Sequence, residues 1–300
     1  MPRSVRECLR GDRMAEVQHF SYGLLTPAAA YLMSFIGSLL GLLCATRARA
    51  ATGRSRASWL GLAALAIGGT GIWVMHFIAM LGFTVKDHEI RYDVPLTLLS
   101  CGTAIAVVAF GLFIVGFAGA RTPVIILGGL IMGAGVASMH YTGMTAMNMS
   151  GHIDYQPVLV GLSVLIALVA ATAALWFSLS VKGLWATTGA AAIMGIAVSG
   201  MHYTGMAAMR ITMHEGMAAP TGARPVDFLL PLLGGVGGVS IILLVIIAMA
   251  PSEEEMRIEA ELQERIQARQ RGEAPRTPAD PVAPPPGRSA GQWFDGGPGR

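Results

Sequence analysis

The chain has 300 residues, of which 53% are hydrophobic and only 13% are charged, and its mean hydropathy is +0.57. These values exclude an ordinary soluble protein, because the surplus of apolar side chains has to contact lipid. The net charge of +3 comes almost entirely from the termini and from short connecting segments, so it does not indicate a nucleic-acid-binding surface. Three widely spaced cysteines, Cys8, Cys44 and Cys101, indicate neither a disulfide framework nor a thiolate metal site.

Seven apolar segments follow one another along the chain, and each is near or above the roughly 20 residues that a helix needs to cross a bilayer. Charged residues are absent from the middle of every segment, and only a helix satisfies so long a backbone in lipid. The segments cover residues 24–45, 59–82, 95–118, 123–147, 157–180, 184–209 and 228–250. The sequence therefore predicts an all-α membrane protein with seven transmembrane helices, built from repeated two-helix hairpins.

The distribution of basic residues predicts how the helices are oriented. With the amino terminus outside, 13 Lys and Arg residues fall on the cytoplasmic side and 8 on the opposite side, as the positive-inside rule requires. Four of those eight precede Met14, so a chain that starts at Met14 would follow the rule better. We therefore expect the amino terminus outside, the carboxyl terminus in the cytoplasm and a start at Met14.

The composition changes on both sides of the membrane domain, which is predicted to cover residues 24–250. Residues 1–23 are predicted to form an extracytoplasmic segment, and residues 251–272 a short, charged cytoplasmic helix. Residues 273–300 are rich in proline and glycine, which predicts disorder. The last ~50 residues have too few apolar side chains for a catalytic domain, so we expect that the chain is not an enzyme.

Three similar motifs end the second, fourth and sixth predicted helices. They are GIWVMHFIAML (71–81), GVASMHYTGMTAM (135–147) and GIAVSGMHYTGMAAM (195–209). Their histidines, His76, His140 and His202, are separated by the length of one helical hairpin, which is therefore the repeat unit. Because the even-numbered helices all run outward in the predicted topology, we expect the motifs to converge at the outer end of the bundle.

Each motif histidine directly follows a methionine and shares a helix face with the methionine four residues later. Imidazole and thioether donors without carboxylate or thiolate favour copper, particularly Cu(I), over zinc, magnesium or calcium. The alternative is that the methionines only fill space and each histidine is an ordinary interfacial residue, but three copies at equal depth favour a shared site. The predicted metal ligands are His76, Met80, His140, Met144, His202, Met206, Met75, Met139 and Met201.

The remaining histidines and several aspartates lie in the loops on the same side as the motifs. The loop histidines are His19, His88, His152 and His214. His88, His152 and His214, each twelve residues after a motif histidine, indicate an outer ligand shell, a metal-capture site or ordinary surface residues. The aspartates just before the odd-numbered helices are Asp93, Asp154 and Asp227. They fit helix starts, or alternatively groups that orient the imidazole ligands.

MHYT at 139–142 and 201–204, with the variant MHFI at 75–78, resembles the MHYT family of bacterial integral membrane sensor domains. The resemblance covers about residues 19–250. It implies a membrane sensor domain that binds copper through its motif His and Met residues and through it detects oxygen, carbon monoxide or nitric oxide. We expect a multi-pass sensor of the inner (plasma) membrane whose copper binds such a gas or changes its redox state. Relatives often continue into cyclic di-GMP enzymes or a histidine kinase, so the short tail of this chain implies a separate cytoplasmic signalling partner.

Two other functions stay open. A copper carrier or transporter would pass Cu(I) along methionines, but transport requires metal-binding positions through the whole membrane. The deeper parts of the spans offer only Met33, Met132, Met194 and Met249. Bis-histidine haem ligation is the third possibility, although the repeated methionines fit copper better.

Overall fold

The computed structural model describes residues 12–14, 17–86, 88–214, 219–249 and 253–271. The chain divides into two compact units, Met1–Ala250 and Pro251–Arg300. Seven of the described helices are long and apolar enough to cross a membrane, which confirms the predicted all-α membrane fold. The predicted disordered tail, residues 273–300, lies outside the described residues.

The helices and strands are numbered in chain order. The helices are α1 (Leu25–Ala50), α2 (Gly53–Leu81), α3 (Val94–Ala118), α4 (Thr122–Thr145), α5 (Pro157–Ser180), α6 (Leu184–Ala207), α7 (Pro225–Met249) and α8 (Glu253–Gln270). The strands are β1 (Asp12–Met14), β2 (Val17–Gln18), β3 (Thr84–Val85), β4 (Arg91–Tyr92), β5 (Met147–Asn148), β6 (Gly151–Tyr155) and β7 (Met209–His214). The second unit contains α8, and the first contains all other elements.

Helices α1 and α2 extend further toward each other than the sequence predicted, so the arginines expected between them lie within helices. The reason is that these side chains bind carbonyl groups at the ends of other helices. Arg47 donates to a carbonyl at the end of α7 (2.7 Å), Arg49 to two at the end of α5, and Arg56 to one near the end of α3 (3.3 Å). The last carbonyls of a helix are unpaired and carry the negative end of its dipole. We call this the arginine end of the bundle.

Six of the helices form a closed ring. Each helix from α1 to α6 packs against its neighbours in the chain, and α6 packs back against α1. Helix α7 packs against α1 and α2, where the hydroxyls of Thr70 and Ser240 lie 2.7 Å apart. The three motif helices, α2, α4 and α6, therefore alternate with the other three around the ring, and all three end at the side opposite the arginine end.

The outer surface of the ring is apolar. Leu127 on α4, Leu165 on α5 and Ile196 on α6 expose 61%, 56% and 63% of their surface. Such an exposed apolar surface is stable only in contact with lipid or another protein. The ring itself is closely packed at glycines, as small residues permit in membranes.

Helix α2 contains a π-helical segment, Leu65–Val74, which the sequence analysis did not predict. Residues 66–74 are all buried, and the Trp73 indole N–H donates to the Ser100 hydroxyl (3.0 Å). π-Helical turns are wider than α-helical turns and occur frequently at functional sites. In this chain the segment ends at Val74, directly before the MHFI sequence of the first motif, so it sets the direction in which His76 projects.

A short strand follows each motif helix, at the end of the bundle opposite the arginine end. In the largest sheet, β7 pairs with both β1 and β6. Two smaller sheets are formed by β2 with β3 and by β4 with β5. All these pairs are antiparallel. The backbone N–H of Ser21 also donates to the carbonyl of Gly82, just after the first motif helix (3.0 Å). These contacts tie the loops to the ends of the motif helices.

Candidate metal centre

The three motif histidines meet inside the ring and define its histidine end. The Nδ1 atoms of His76 and His202 lie 3.0 Å apart, those of His76 and His140 3.2 Å, and those of His140 and His202 3.4 Å. A point equidistant from these three atoms lies about 1.9 Å from each, close to the roughly 2.0 Å of a bond between metal and imidazole nitrogen. The structure therefore brings together the histidines that the repeats singled out, in a geometry that fits a metal ion.

The histidine triad is buried, with at most 1% of each side chain exposed. The rings meet edge to face, with interplanar angles of 83° to 89°. Nδ1 of each ring faces the centre, and Nε2 has no hydrogen-bond partner among the described residues. A neutral imidazole offers one N–H and one lone pair, so a cation that accepts three lone pairs satisfies the centre better than any arrangement of protons.

The donor set of the triad also limits which ion fits. Within the described ranges, this is the only group of three or more His, Cys, Asp or Glu side chains that could hold a metal, and it contains no carboxylate or thiolate. The cost of burying an ion grows with the square of its charge. Because the three nitrogen ligands carry no charge, a monovalent ion costs less to bury at the triad than a divalent one.

The six methionines predicted as ligands are all buried, with exposures between 0% and 3%. Five belong to the main apolar core: Met80, Met139, Met144, Met201 and Met206. Met75 instead packs with Ala30 and Ala79 in a separate cluster, so it is placed differently from its counterparts in the other motifs. Burial suits a thioether ligand and an apolar core residue equally, so the role of the sulfurs stays a prediction.

The loop histidines differ from the triad in their surroundings. His88 and His152 are exposed, and His214 ends β7. His19 is half-buried, with its ring centroid 5.5 Å from that of Phe83, and this burial lowers the pKa of its imidazole from the ordinary value. Among the side chains that the structure describes, the group that could hold a metal ion comprises the three motif histidines alone.

The aspartates predicted to lie just before the odd-numbered helices have partners other than the triad, and Asp227 lies within the first turn of α7. Asp93 accepts a hydrogen bond from a backbone N–H in the first turn of α3 (2.9 Å), so it is a helix cap. Asp154 lies in β6, 3.5 Å from His152, and Asp227 accepts a bond from Arg224 (2.7 Å). These contacts support the interpretation as helix-start and surface residues.

An apolar cavity of about 30 Å³ lies one helical turn away from the triad, deeper in the ring. Ile72, Val136 and Val198 line it, and each precedes a motif histidine by four residues, which is about 6 Å along a helix. The remaining lining residues are Ile67, Met132, Ala167, Ala170, Ala171, Ala174, Met194 and Met201. The sequence analysis missed this cavity, because it depends on four alanines of α5 that carry no signal by themselves.

The spacing of the triad argues against haem. Imidazoles on opposite faces of a haem iron are separated by roughly twice a metal–nitrogen bond of about 2.0 Å, whereas every Nδ1 pair of the triad is within 3.4 Å. The third ring would also occupy the space of the porphyrin. The centre thus suits a single ion rather than a macrocycle.

Comparison with known proteins relates the bundle to a family of bacterial signalling proteins. The MHYT family model, described as an N-terminal repeat of bacterial signalling proteins, matches residues 69–129 and 133–191, which contain the first two motif histidines. The bifunctional diguanylate cyclase/cyclic di-GMP phosphodiesterase MucR of Pseudomonas aeruginosa is 40% identical over 212 residues, or 69% of this chain and 30% of MucR.

Two further relatives align over a similar number of residues. The cyclic di-GMP phosphodiesterase NbdA of P. aeruginosa is 32% identical over 67% of this chain and 26% of NbdA. The signaling protein YkoW of Bacillus subtilis is 30% identical, again over 67% of this chain and 26% of the relative. The chain thus spans less than a third of the length of these relatives. No solved structure matches it at a significant level.

Proposed function

We propose that this chain, which belongs to the MHYT family of bacterial membrane signalling proteins, is a membrane sensor. We further propose that it binds copper at its histidine triad. One observation carries the proposal: three buried Nδ1 atoms from three equivalent motifs lie within 3.4 Å of one another. The family description and the name of YkoW both refer to signalling proteins, which supports the sensory role.

The proposal of copper rests on the chemistry of the donors. Imidazole nitrogens, with thioethers buried nearby, suit Cu(I), and a single positive charge costs less to bury than the two charges of zinc. Met80, Met144 and Met206, one turn after the histidines, are the proposed additional ligands. Met75, Met139 and Met201, directly before the histidines, are the other methionines proposed to contribute.

Metal analysis of the protein, purified in mild detergent from copper-supplemented cells, tests this function. We expect copper at close to one ion per chain, and copper should displace zinc when both are offered. A protein without copper, or one that holds zinc equally well, would contradict the proposal.

The proposed signal is a diatomic gas (oxygen, carbon monoxide or nitric oxide) or a change of redox state. Cu(I), when bound, supplies a site for a neutral diatomic ligand and for one-electron chemistry. The chain contributes an apolar cavity one turn from the triad, and small apolar cavities of this kind stay dry and hold apolar molecules. The residues four positions before the motif histidines, Ile72, Val136 and Val198, are not metal ligands, and we take this to favour a sensor. Met132, Met194 and Met201, which also line the cavity, are the positions that a carrier would use.

Xenon tests the cavity independently of any metal. In protein labelled with ¹³C at the methionine methyl groups, xenon should shift the signals of Met132 and Met194, which line the cavity, in a saturable manner. The signal of Met249, which is 81% exposed, should not saturate. Ala171→Leu, which fills the cavity, should abolish the saturable shift, whereas Val169→Leu on the exposed surface should retain it. Saturation in both variants would contradict a ligand cavity.

Helix α2 is the proposed route of the signal through the membrane. It carries Arg56 at the arginine end and His76 at the histidine end, and Thr70 in its π-helical segment contacts Ser240 of α7. A ligand that favours one arrangement of the triad would shift the bundle between states. A relative named as a signalling protein supports a downstream receiver, and we propose a separate cytoplasmic partner in this role.

The proposed orientation places the histidine end outside the cytoplasm and the protein in the inner membrane. Reporter fusions after Arg49, Arg121, Lys182 and residue 255 should report the cytoplasm, as the excess of basic residues on that side requires. Fusions near Lys86, Gly151 and Thr221 should report the exterior. A single reversed loop among these seven would contradict the topology.

A further inference from the structure

We infer that Gly143 and Gly205 are positioning residues. The imidazole of the preceding motif packs against the backbone of each glycine, and this contact directs the Nδ1 atom of the histidine toward the centre of the triad. The inference rests on the proposed metal-binding function. It assigns a role to the glycine of the MHYTG sequence that is distinct from ligation.

The contacts of the two glycines are equivalent. A Cβ built on Gly143 would lie 2.5 Å from Nε2 and 3.1 Å from Cδ2 of His76. A Cβ built on Gly205 would contact Nε2 of His140 and lie 3.0 Å from its Cδ2. Real Cβ atoms essentially never approach another atom within 3.0 Å, so each imidazole occupies the space that a side chain would fill.

The imidazoles have no room to yield to such a side chain. The ring of His76 meets Phe77 edge to face, with centroids 4.7 Å apart, and the ring of His140 meets Tyr141 at 4.9 Å. The other triad rings lie 4.9 to 5.1 Å away on the remaining side. A Cβ on the glycine would therefore push the ring toward the centre or rotate it, and either movement displaces Nδ1.

The arrangement runs from one motif helix to the next. His76 of α2 rests against Gly143 of α4, and His140 of α4 rests against Gly205 of α6. The corresponding position of the first motif is Ala79, which is buried beside Met75. The first motif, MHFIAM, therefore departs from MHYTGM at the position where the other two provide a glycine.

The glycines also determine which nitrogen is available to a metal. Each presses against Nε2, which has no hydrogen-bond acceptor among the described residues. With the proton on Nε2, the lone pair is on Nδ1, directed at the point that the three rings share. Groups that orient metal ligands in this way typically change metal affinity by 10–100-fold when they are altered.

The test compares Gly143→Ala and Gly205→Ala with Gly200→Ala, a matched control in α6. A Cβ on Gly200 meets no described residue within 4 Å, although Gly200 lies two positions from His202. All three changes raise helix propensity alike. X-ray absorption of copper-loaded protein should count three imidazole nitrogens in the wild type and in Gly200→Ala, and two in Gly143→Ala and Gly205→Ala. Copper affinity should fall roughly 10–100-fold in these two variants.

A double-mutant cycle tests the contact without any metal. Gly143→Ala should lower the melting temperature of the metal-free protein, and this loss should largely disappear in the background of His76→Ala, because the ring that is contacted is gone. An equal loss in both backgrounds, or unchanged copper ligation in Gly143→Ala and Gly205→Ala, would overturn the inference. If the wild-type protein held no copper, the proposed function would be overturned instead. The double-mutant cycle alone would then test whether the two glycines position the histidines.

Discussion

Replacing His76, His140 and His202 together by alanine is expected to remove copper from the purified protein. Each replacement removes one of three nitrogen donors that lie within 3.4 Å of one another. Changes to groups that only orient ligands cost about 10–100-fold in affinity, so the loss of one ligand by a single replacement should cost at least about 100-fold. Elemental analysis of protein purified in detergent measures the effect.

Insertion into the membrane should be unaffected, because the apolar residues that carry the spans are unchanged. His88→Ala and His152→Ala are the matched controls, since both side chains are exposed and neither belongs to the metal-binding group. They should retain nearly all the copper. Full copper content in the triple variant would end the hypothesis of a metal site and would leave the repeats as packing motifs.

The sequence predicted most of the fold because the signals were long and uniform. Apolar segments of about 20 residues allow only helices in lipid, and an even number of crossings between the motifs places all three histidines at one end. The predicted end of α1 and the predicted start of α2 were wrong, because the hydropathy pattern treats an arginine such as Arg49 as a loop residue. In the structure the side chain of Arg49 donates hydrogen bonds to carbonyl groups at the end of another helix. The position of that helix end cannot be read from the local sequence.

Features that depend on neighbouring helices carried no usable signal. The π-helical segment Leu65–Val74 lies in an ordinary apolar run, and the cavity depends on small residues of α5 such as Ala171. Gly143 and Gly205 were visible in the motifs, but glycine is common in membrane helices. Only the packing shows that an imidazole from another motif occupies the space beside each of them.

Gly37→Ala is expected to destabilise the bundle strongly, although it adds only one methyl group. A Cβ on Gly37 would lie 2.6 Å from Cα of Gly71 and 2.7 Å from the carbonyl oxygen of Ala66. Both are backbone atoms of the π-helical segment, so no side-chain rotation relieves the contact and α1 has to move away from α2. Overpacking of this kind costs about 1–3 kcal/mol, and we expect the upper part of that range.

Gly61→Ala is the control for this prediction, because a Cβ on Gly61 of α2 meets nothing within 4 Å in the part of the chain that the structure describes. It should leave the melting temperature in detergent unchanged or slightly raised, since alanine favours helix over glycine by up to about 1 kcal/mol. Gly37→Ala should melt several degrees lower and also hold less copper, because His76 follows the displaced segment directly in α2. Equal melting temperatures for the two variants would mean that α1 and α2 do not make this backbone contact.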